Sequence, residues 1–498
     1  MSAKPDAKAE SAFSPALLTL IWLAGVAYAA ALMTPALGAQ VKLGLTFNDM
    51  LVHLLRGRFD IDPGVIGGEA FVRDGRSYAY FGPFCAVLRL PLLLTGRIGV
   101  DMTGASLLIA SALSLACRLI AAATVLGGAN GLAANRTLRW AVLAAAVASG
   151  ESVQYLHPSL YQEVVSWGAA LASLFVLLAV RLVLGIGRSR ASAYAAMALV
   201  AGLALLCRVS FGLGLYCSLG LMLVVEVWRA SAVRTKIVVT VRRLAPAVAL
   251  LILAAGLAAG VNQARWGQPL TFVPLRYQVI AHQLYPDRLP RLARYGEINP
   301  RRIPFSLQYY FAPVWALADG HGQFILQKPQ LELFEDVELP PSTLLLSDPV
   351  TCILAIAGVS ALTSRRRWAM DAALARATLL GLAVPACLML MAISLTFRYR
   401  MEFYPALDFA GWLGLAAWAD HPDPLPKYAA PALGVVAGAG MVAASIGLMI
   451  YAIVPFGPAT DLDMAHGWTG VVADRLAGRN VRIGHLMPDG RRLAQDPS

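Results

Sequence analysis

Long apolar runs separated by short polar segments are the dominant pattern along this chain. The runs cover 15–36, 102–127, 137–151, 164–184, 191–207, 211–229, 244–262, 346–363, 372–396, 403–419 and 428–455. A transmembrane helix needs about 17–25 mostly apolar residues, and most of the runs have that length. The pattern therefore predicts an all-α polytopic membrane protein with about 11 transmembrane helices.

The length of the apolar stretch from Phe81 to Val100 does not decide whether it crosses the membrane or lies along its surface. The stretch contains Arg89 and two prolines, which do not suit a plain span. If it lies along the membrane surface and the N-terminus is cytoplasmic, 16 Lys and Arg residues fall on inside faces, in agreement with the positive-inside rule. We therefore expect a bacterial inner-membrane protein with a cytoplasmic N-terminus and a periplasmic C-terminus.

This topology divides the chain into five regions. They are a cytoplasmic N-terminus (1–14), a transmembrane module (15–262) that includes a first periplasmic loop (37–101), a large periplasmic loop (263–345), C-terminal transmembrane helices (346–455) and a periplasmic tail (456–498). Both loops are nearly neutral and rich in Pro, Gly, Tyr and Arg, as ordered functional loops often are.

Composition supports the membrane assignment and narrows the partners. Only 14% of the residues are charged and 58% are hydrophobic, whereas a soluble domain carries about 25% charged residues. The net charge of +12 fits cytoplasmic anchoring to anionic lipid. Nucleic-acid binding is disfavoured because the basic residues lie in short clusters between apolar runs. None of the six cysteines forms a C-x-x-C pair, so we expect no structural disulfide and no cysteine-bound metal.

The first loop offers an acidic candidate close to the end of the first span. Asp49 opens a short amphipathic segment in which His53 follows at i+4 and so shares its face. Asp49 either caps this helix or acts as a general base near the membrane surface, where a lipid-linked substrate presents its head group. His53 is either a polar filler or a substrate contact.

Arginine and tyrosine mark further candidate contacts in the two large loops. Arg73 belongs to the turn sequence Arg-Asp-Gly-Arg, and Tyr80 follows it. The purely structural interpretation is a β-turn with a solvated charge pair. Aromatic and arginine side chains also suit sugar stacking and phosphate binding, so Arg73, Tyr80 and, in the second large loop, Arg276 are candidate substrate contacts.

A short outside segment, residues 150–168, carries three more candidates. His157, Tyr161 and Glu163 lie at a membrane boundary. Glu163 opens an apolar run, where an acid complements the helix dipole; alternatively it orients an acceptor or a metal in the same cavity as Asp49. A divalent metal has only weak support because the segment contains no D-x-D pair.

Arginines on the predicted outside face are unexpected under the positive-inside rule. Arg208 lies between two apolar runs, and Arg398 lies beside Tyr399 in the sequence LTFRYRMEFYP. Phosphate would explain these arginines because guanidinium binds it bidentately. Pairing with Glu402 or snorkelling to the interface are the alternatives.

Several segments, taken in order, resemble the GT-C superfamily of integral-membrane glycosyltransferases. They are FNDMLVHLLRGRFDID, GRSYAYFGPFCAVLRLPLLL, LYQEVVSWG, ARWGQPLTF, EINPRRIPFSLQYYF and FRYRMEFYPALDF. The pattern covers most of 15–420 and is similar to the bacterial polyprenyl-phosphate-sugar branch, which is related at fold level to protein mannosyltransferases and lipid A aminoarabinose transferases.

The resemblance implies an active site on the extracytoplasmic side, beneath the first loop. The family's catalytic carboxylate corresponds to Asp49, its second-loop acid to Glu163, and its phosphate-binding arginines to Arg208 and Arg398. Paired acids are missing from LYQEVVSW, so no metal cofactor is expected. The implied activity is inverting transfer from a polyprenyl-phosphate sugar to a hydroxyl of a glycan, lipid or protein, by a protein we expect to be a monomer.

Two other functions remain open at this point. A transporter or lipid flippase would place ionisable residues at the bilayer midplane and use paired repeats. The sequence has no evident repeat, and Arg118 and Glu226 are the main charges inside apolar runs. The second alternative is a non-catalytic assembly subunit that keeps the fold without the activity, which the sequence does not exclude.

Overall fold

The computed structural model describes most of the apolar runs as helices. It describes residues 13–33, 41, 43–127, 136–153, 158–187, 189–231, 234–283, 288–312, 332–338, 340, 342–364, 370–419 and 428–453. Of the described residues, 79% are helical. Its longer helices are α1 (Pro15–Met33), α6 (Thr103–Gly127), α7 (Arg136–Val147), α9 (Leu160–Val183), α10 (Arg190–Cys207), α11 (Val209–Ser231), α12 (Arg234–Trp266), α17 (Pro349–Thr363), α18 (Ala372–Met391), α19 (Tyr404–Ala419) and α20 (Ala429–Ile453).

Eight of the described helices are long and apolar enough to cross a membrane. They lie at Pro15–Met33, Thr103–Gly127, Leu160–Val183, Arg190–Cys207, Val209–Ser231, Lys236–Trp266, Ala372–Met391 and Ala429–Met449. Large apolar side chains point away from the protein along them, among them Leu20 (64% exposed) and Ile252 (68% exposed). Such surfaces are stable against lipid and not against water. The chain is therefore an all-α, multi-pass membrane protein.

The remaining apolar runs form shorter helices, so the count of eleven spans stays a prediction. The run 137–151 is divided into α7 and a single turn, α8 (Gly150–Val153). The run 346–363 is divided between α16 (Leu344–Ser347) and α17, and α19 has 16 residues. The stretch 81–100 forms two short helices, α4 (Phe84–Val87) and α5 (Leu90–Leu94), instead of one long helix.

Helix α9 lies at the centre of the bundle. Nearly all of its residues are buried, and it packs against α6, α10 and α19. Ser159 caps its start by accepting a hydrogen bond from the backbone N–H of Gln162, so the helix begins before the apolar run that predicted it. In contrast, α1 and α12 lie at the periphery of the bundle, and few of their residues are buried within the protein.

The first loop folds into small elements that pack on one end of the bundle. They are α2 (Thr46–Leu55), α3 (Pro63–Ile66), the hairpin β1 (Phe71–Arg73) with β2 (Arg76–Tyr78), and then α4 and α5. Asp74 and Gly75 form the two-residue turn of this hairpin with φ of 50° and 71°, as type I′ turns require. The predicted turn at Arg-Asp-Gly-Arg is therefore confirmed.

Backbone pairing connects the second loop to its neighbours. Beyond α12 the described elements are α13 (Val279–Gln283), α14 (Arg288–Tyr295), α15 (Ile303–Phe311) and strand β3 (Asp336–Val337). Strand β3 pairs in parallel with β4 (Ser394–Leu395), which follows α18. The N–H of Val279 donates to the carbonyl of Ala70 in the first loop. The two loops and the 391–398 segment thus form one layer over the end of the helices.

A buried ionic network stabilises the interior of the bundle. Arg118 on α6 contacts Glu151 and Asp408, each at 3.2 Å. Glu151 also accepts hydrogen bonds from Ser114 and Ser173 at 2.7 Å. Arg118 therefore lies within a long helix, away from its ends, and its charge is balanced by acids from two other elements. The other intrahelical charge noted in the sequence, Glu226, pairs with Arg190 at 2.7 Å.

Candidate functional site

A cavity of about 620 Å³ lies where the loop layer meets the helix ends. Residues from α9, α10, α11 and α18 form its floor, and residues from both large loops form its walls. Five of the candidate residues line this cavity together, namely Tyr80, Tyr161, Arg208, Arg398 and Tyr399. Up to about 320 residues separate them along the chain, so the fold and not local sequence brings them together.

Arg208 occupies the break between α10 and α11. Its backbone is extended (φ −145°, ψ 116°), so its side chain leaves the helical path and reaches the cavity. Its Nε donates to Glu402 at 2.5 Å. Among the described residues, neither Nη1 nor Nη2 of Arg208 has a hydrogen-bond partner. The buried carboxylate of Glu402 thus holds the guanidinium from one side and leaves its two amino groups available to an anion.

Arg398 approaches the cavity from the segment after β4. Its Nη1 donates to Glu338 at 2.9 Å, and the second oxygen of Glu338 accepts from the backbone N–H of Phe397 at 2.7 Å. The guanidinium carbons of Arg208 and Arg398 each lie 5.4 Å from the ring centre of Tyr399. The two arginines therefore share one aromatic ring, and both are within reach of one anionic group.

Aromatic rings form a large part of the wall. Tyr80 stacks on Phe81 with ring centres 4.2 Å apart, and Tyr161 meets Phe81 edge to face at 5.7 Å. Phe71 of β1 packs on Tyr80 at 5.5 Å. Burial raises the pKa of the Tyr80 phenol above its usual range. Tyr80 therefore stays protonated at neutral pH and suits stacking or hydrogen-bond donation, not proton abstraction.

Glu69, which was not among the candidates, is the first-loop carboxylate that lines the cavity. It ends the 3-10 turn Gly67–Glu69, and only Ala70 separates it from β1. The sequence indicates Glu69 as a site residue only weakly, because it is a lone acid in the segment GGEAF, between two glycines and a buried phenylalanine. Glu338, Gln278 and the pair of Arg288 with Glu335 are further cavity residues that sequence reasoning missed. They come from a loop whose folding the apolar pattern does not report.

Asp49 and His53 lie outside the set of cavity-lining residues. The Asp49 carboxylate accepts a hydrogen bond from the backbone N–H of Asp62 at 2.9 Å and lies 3.7 Å from Nε2 of His53. Nδ1 of His53 lies 2.8 Å from the carbonyl oxygen of Asp60. Both residues share a helical face as predicted, but here they join α2 to the 58–62 turn. A catalytic role for Asp49 and a substrate contact for His53 remain predictions.

Glu163 is sealed inside the protein and does not line the cavity. It is 0% exposed and meets Arg89, also 0% exposed, at 2.7 Å. Ser106 donates to it at 2.5 Å. This corrects the picture of Glu163 as an acid that faces the substrate: its oxygens are already used to join α9 to the first loop. Arg89, inside the apolar stretch 81–100, is present because it balances this charge.

Arg73 and Arg276 lie away from the cavity. Arg73 donates to the backbone carbonyl of Arg265 at 3.1 Å and lies 3.2 Å from Asp74. Arg276 is exposed, with its guanidinium over the neighbouring Tyr277 ring. Neither lines the cavity. His157 lies outside the described residues.

The described residues contain no group of three or more His, Cys, Asp or Glu side chains placed to hold a metal ion. The six cysteines are free thiols, although Cys85 and Cys207 approach each other to 3.9 Å between sulfur atoms. The cavity's polar chemistry thus comes from arginine, carboxylate, amide and tyrosine groups.

Gly82 fixes the distance between the first loop and Arg208. A Cβ atom at this position would lie 1.9 Å from the carbonyl oxygen of Leu206, two residues before Arg208. Replacing Gly82 with alanine should therefore push the loop away from α10. We expect a loss of about 1–3 kcal/mol in the free energy of unfolding, measured by denaturant titration in detergent micelles.

Gly99 provides the matched control in the same loop. A Cβ added there meets nothing within 4 Å, so Gly99→Ala should change the free energy of unfolding by less than about 0.5 kcal/mol. Equal stability of the Gly82→Ala and Gly99→Ala proteins would show that the loop does not pack against α10 in this way.

No model of a protein family matches this chain, and no curated protein matches it either. The chemistry of the cavity and the order of the sequence segments therefore carry the functional proposal.

Proposed function

We propose that this protein is an inverting glycosyltransferase of the inner membrane that takes a sugar from a polyprenyl-phosphate donor. The acceptor is a hydroxyl of a glycan, lipid or protein, and transfer takes place at the periplasmic face. The single observation that carries the proposal is the convergence of Arg208 and Arg398 on Tyr399 inside one cavity. Two guanidinium groups at a membrane boundary suit the phosphate of a lipid carrier.

The charges make a singly charged lipid phosphate a suitable ligand. Glu402 and Glu338 already pair with the two arginines, so the cluster carries no large excess of positive charge. It binds an anion through hydrogen bonds from the guanidinium N–H groups. The guanidinium groups are preorganised by these carboxylates. They stabilise the negative charge that grows on the leaving phosphate as the sugar–oxygen bond breaks, without reorganising during the reaction.

The orientation in the membrane follows from the predicted topology of eleven spans. The cavity lies at the C-terminal end of α10 and at the N-terminal ends of α9 and α11, which that topology places outside. Arg190 and Arg229 lie at the opposite end, where each pairs with an acid. Basic residues at that end agree with a cytoplasmic location.

Arg208 is the best residue for a test because its loss removes two unbonded donors from the cavity. Arg208→Gln and Arg208→Lys should each lower the rate of sugar release from a polyprenyl-phosphate sugar by about tenfold to a hundredfold. Lysine is expected to fail as well because it lacks the planar fork. The assay uses purified protein in lipid nanodiscs with a panel of radiolabelled polyprenyl-phosphate sugars.

Arg301 is the matched control, since it is exposed and does not line the cavity. Arg301→Gln should release sugar at the wild-type rate. The proposal fails if the wild-type protein consumes none of the donors, or if Arg208→Gln and Arg301→Gln behave alike.

A further inference from the structure

The first loop contains two carboxylates that compete for the role of general base. Asp49 is occupied by the backbone N–H of Asp62 and lies outside the set of residues that line the cavity. Glu69 lies on the cavity wall with its side chain partly exposed. A general base must come within hydrogen-bond reach of the proton that it removes. This requirement favours Glu69 over Asp49.

The carboxylate of Glu69 is held by a polar partner from the second loop. The amide nitrogen of Gln278 donates to its Oε2 at 3.3 Å. The opposite amide oxygen of Gln278 has no hydrogen-bond partner among the described residues. A carboxylate accepts and does not donate, so the amide must turn its nitrogen to Glu69.

The backbone around Glu69 leaves it little freedom. The next residue, Ala70, accepts the N–H of Val279, and Phe71 forms a bridge with Gln278. Phe71 is fully buried and packs on Trp266 at 5.9 Å. Glu69 is thus fixed by the second loop on one side and by an aromatic cluster on the other, as expected of a preorganised group.

Glu69 shares the cavity with the two arginines. Glu69, Tyr161, Arg208 and Arg398 all line it, and the guanidinium carbon of Arg398 lies 4.9 Å from the centre of the Tyr161 ring. A base and a phosphate-binding group must both reach the bound sugar for inverting displacement, and a shared cavity allows this.

We propose that Glu69, positioned by Gln278, accepts the proton of the acceptor hydroxyl during glycosyl transfer. The inference rests on the proposed function. As the acceptor oxygen bonds to the anomeric carbon, its hydrogen passes to the Glu69 carboxylate. The bond from that carbon to the phosphate oxygen breaks, and its electron pair leaves with the polyprenyl phosphate beside Arg208 and Arg398. Glu69 then releases the proton to water in the cavity.

The test compares Glu69→Gln with Asp49→Asn, two replacements that preserve shape and remove one negative charge. Sugar transfer from the radiolabelled donors is measured beside the binding of farnesyl phosphate, a soluble probe for the lipid phosphate. Glu69→Gln should transfer at least about a hundredfold more slowly and bind farnesyl phosphate with an affinity within about threefold of the wild type. Asp49→Asn, the rival assignment, should slow transfer less than Glu69→Gln does. Asp74→Asn, at an exposed acid of the same loop, is the control that should remain close to the wild type in both assays.

Three results would overturn the assignment while the proposed function stands. Glu69→Gln transfers as fast as the wild type, or Asp49→Asn alone loses transfer, or Glu69→Gln loses farnesyl phosphate binding together with transfer, which indicates a structural role. A wild-type protein that neither binds farnesyl phosphate nor consumes a donor would overturn the proposed function and this inference together.

Gln278 supplies an independent variant if Glu69→Gln fails to fold. Gln278→Leu keeps the volume of the side chain and removes both of its polar atoms. As a positioning residue, its loss should slow transfer at least about tenfold and leave the affinity for farnesyl phosphate within about threefold of the wild type. An unchanged transfer rate would contradict the role assigned to Glu69, and a joint loss of transfer and binding would indicate a structural role.

Discussion

Replacing Glu163 with leucine should lower the free energy of unfolding by about 3–5 kcal/mol. Arg89 and Glu163 form a fully buried ion pair with two contacts of 2.7 Å. Without the acid, the guanidinium would remain buried between α9 and the first loop with only Asn48 and Ser106 as partners. An uncompensated buried charge costs far more than the lost contact. Denaturant titration in detergent micelles, followed by circular dichroism, measures the loss.

The double variant Arg89→Met/Glu163→Leu is the control that isolates the charge. It removes both members of the pair and fills their volume with apolar side chains, so most of the stability should return. If the double variant is as unstable as Glu163→Leu, the loss reflects packing and not the unpaired guanidinium. If Glu163→Leu keeps wild-type stability, the ion pair does not exist in the folded protein.

Replacing Arg118 with leucine should produce a loss of similar size, about 3–5 kcal/mol. This one guanidinium contacts both Glu151 and Asp408 at 3.2 Å, and all three side chains are almost fully buried. Its removal leaves two carboxylates in the interior of the bundle without a cation. Both acids come from elements other than α6, so the loss should loosen α6, α8 and α19 together. The free energy of unfolding is again the quantity to measure.

Arg190 provides the comparison for this second variant. It pairs with Glu226 at the same distance as the Arg89 pair, 2.7 Å, but its side chain is 53% exposed. Arg190→Leu should therefore cost only about 0–1 kcal/mol. Equal losses from Arg118→Leu and Arg190→Leu would show that burial does not decide the strength of these pairs in this protein.

The two buried pairs also bear on the alternative functions. Intramembrane charges are typical of transport pathways, but Arg118, Glu151 and Asp408 contact one another and are almost fully buried. They hold helices together, in the described part of the chain, without facing the large cavity. The polar groups at the cavity lie instead at one end of the bundle, which agrees better with the proposed transfer chemistry than with passage through the membrane.

The sequence by itself determined the helices, because their signal is local. A run of apolar residues long enough to cross lipid has few alternatives to a helix, since every backbone polar group must be paired within the segment. Thus the run 102–127 became Thr103–Gly127, and the run 191–207 became Arg190–Cys207. The apolar pattern does not predict where a helix begins when its first turns are polar. For example, α12 starts at Arg234, ten residues before the apolar run at 244–262.

Only the tertiary structure decided which polar residues meet. Arg208 and Glu402 are 194 positions apart, and Arg89 and Glu163 are 74 apart. No local pattern says that Arg208 and Arg398 share a cavity or that Glu163 is neutralised by Arg89. Similarly, Asp49 and Glu69 both lie in the first loop, but of the two only Glu69 lines the cavity, where Gln278 donates a hydrogen bond to it. The apolar pattern predicts helices because each residue's preference for lipid or water is a local property of the sequence. A site depends instead on contacts between elements that are distant in sequence.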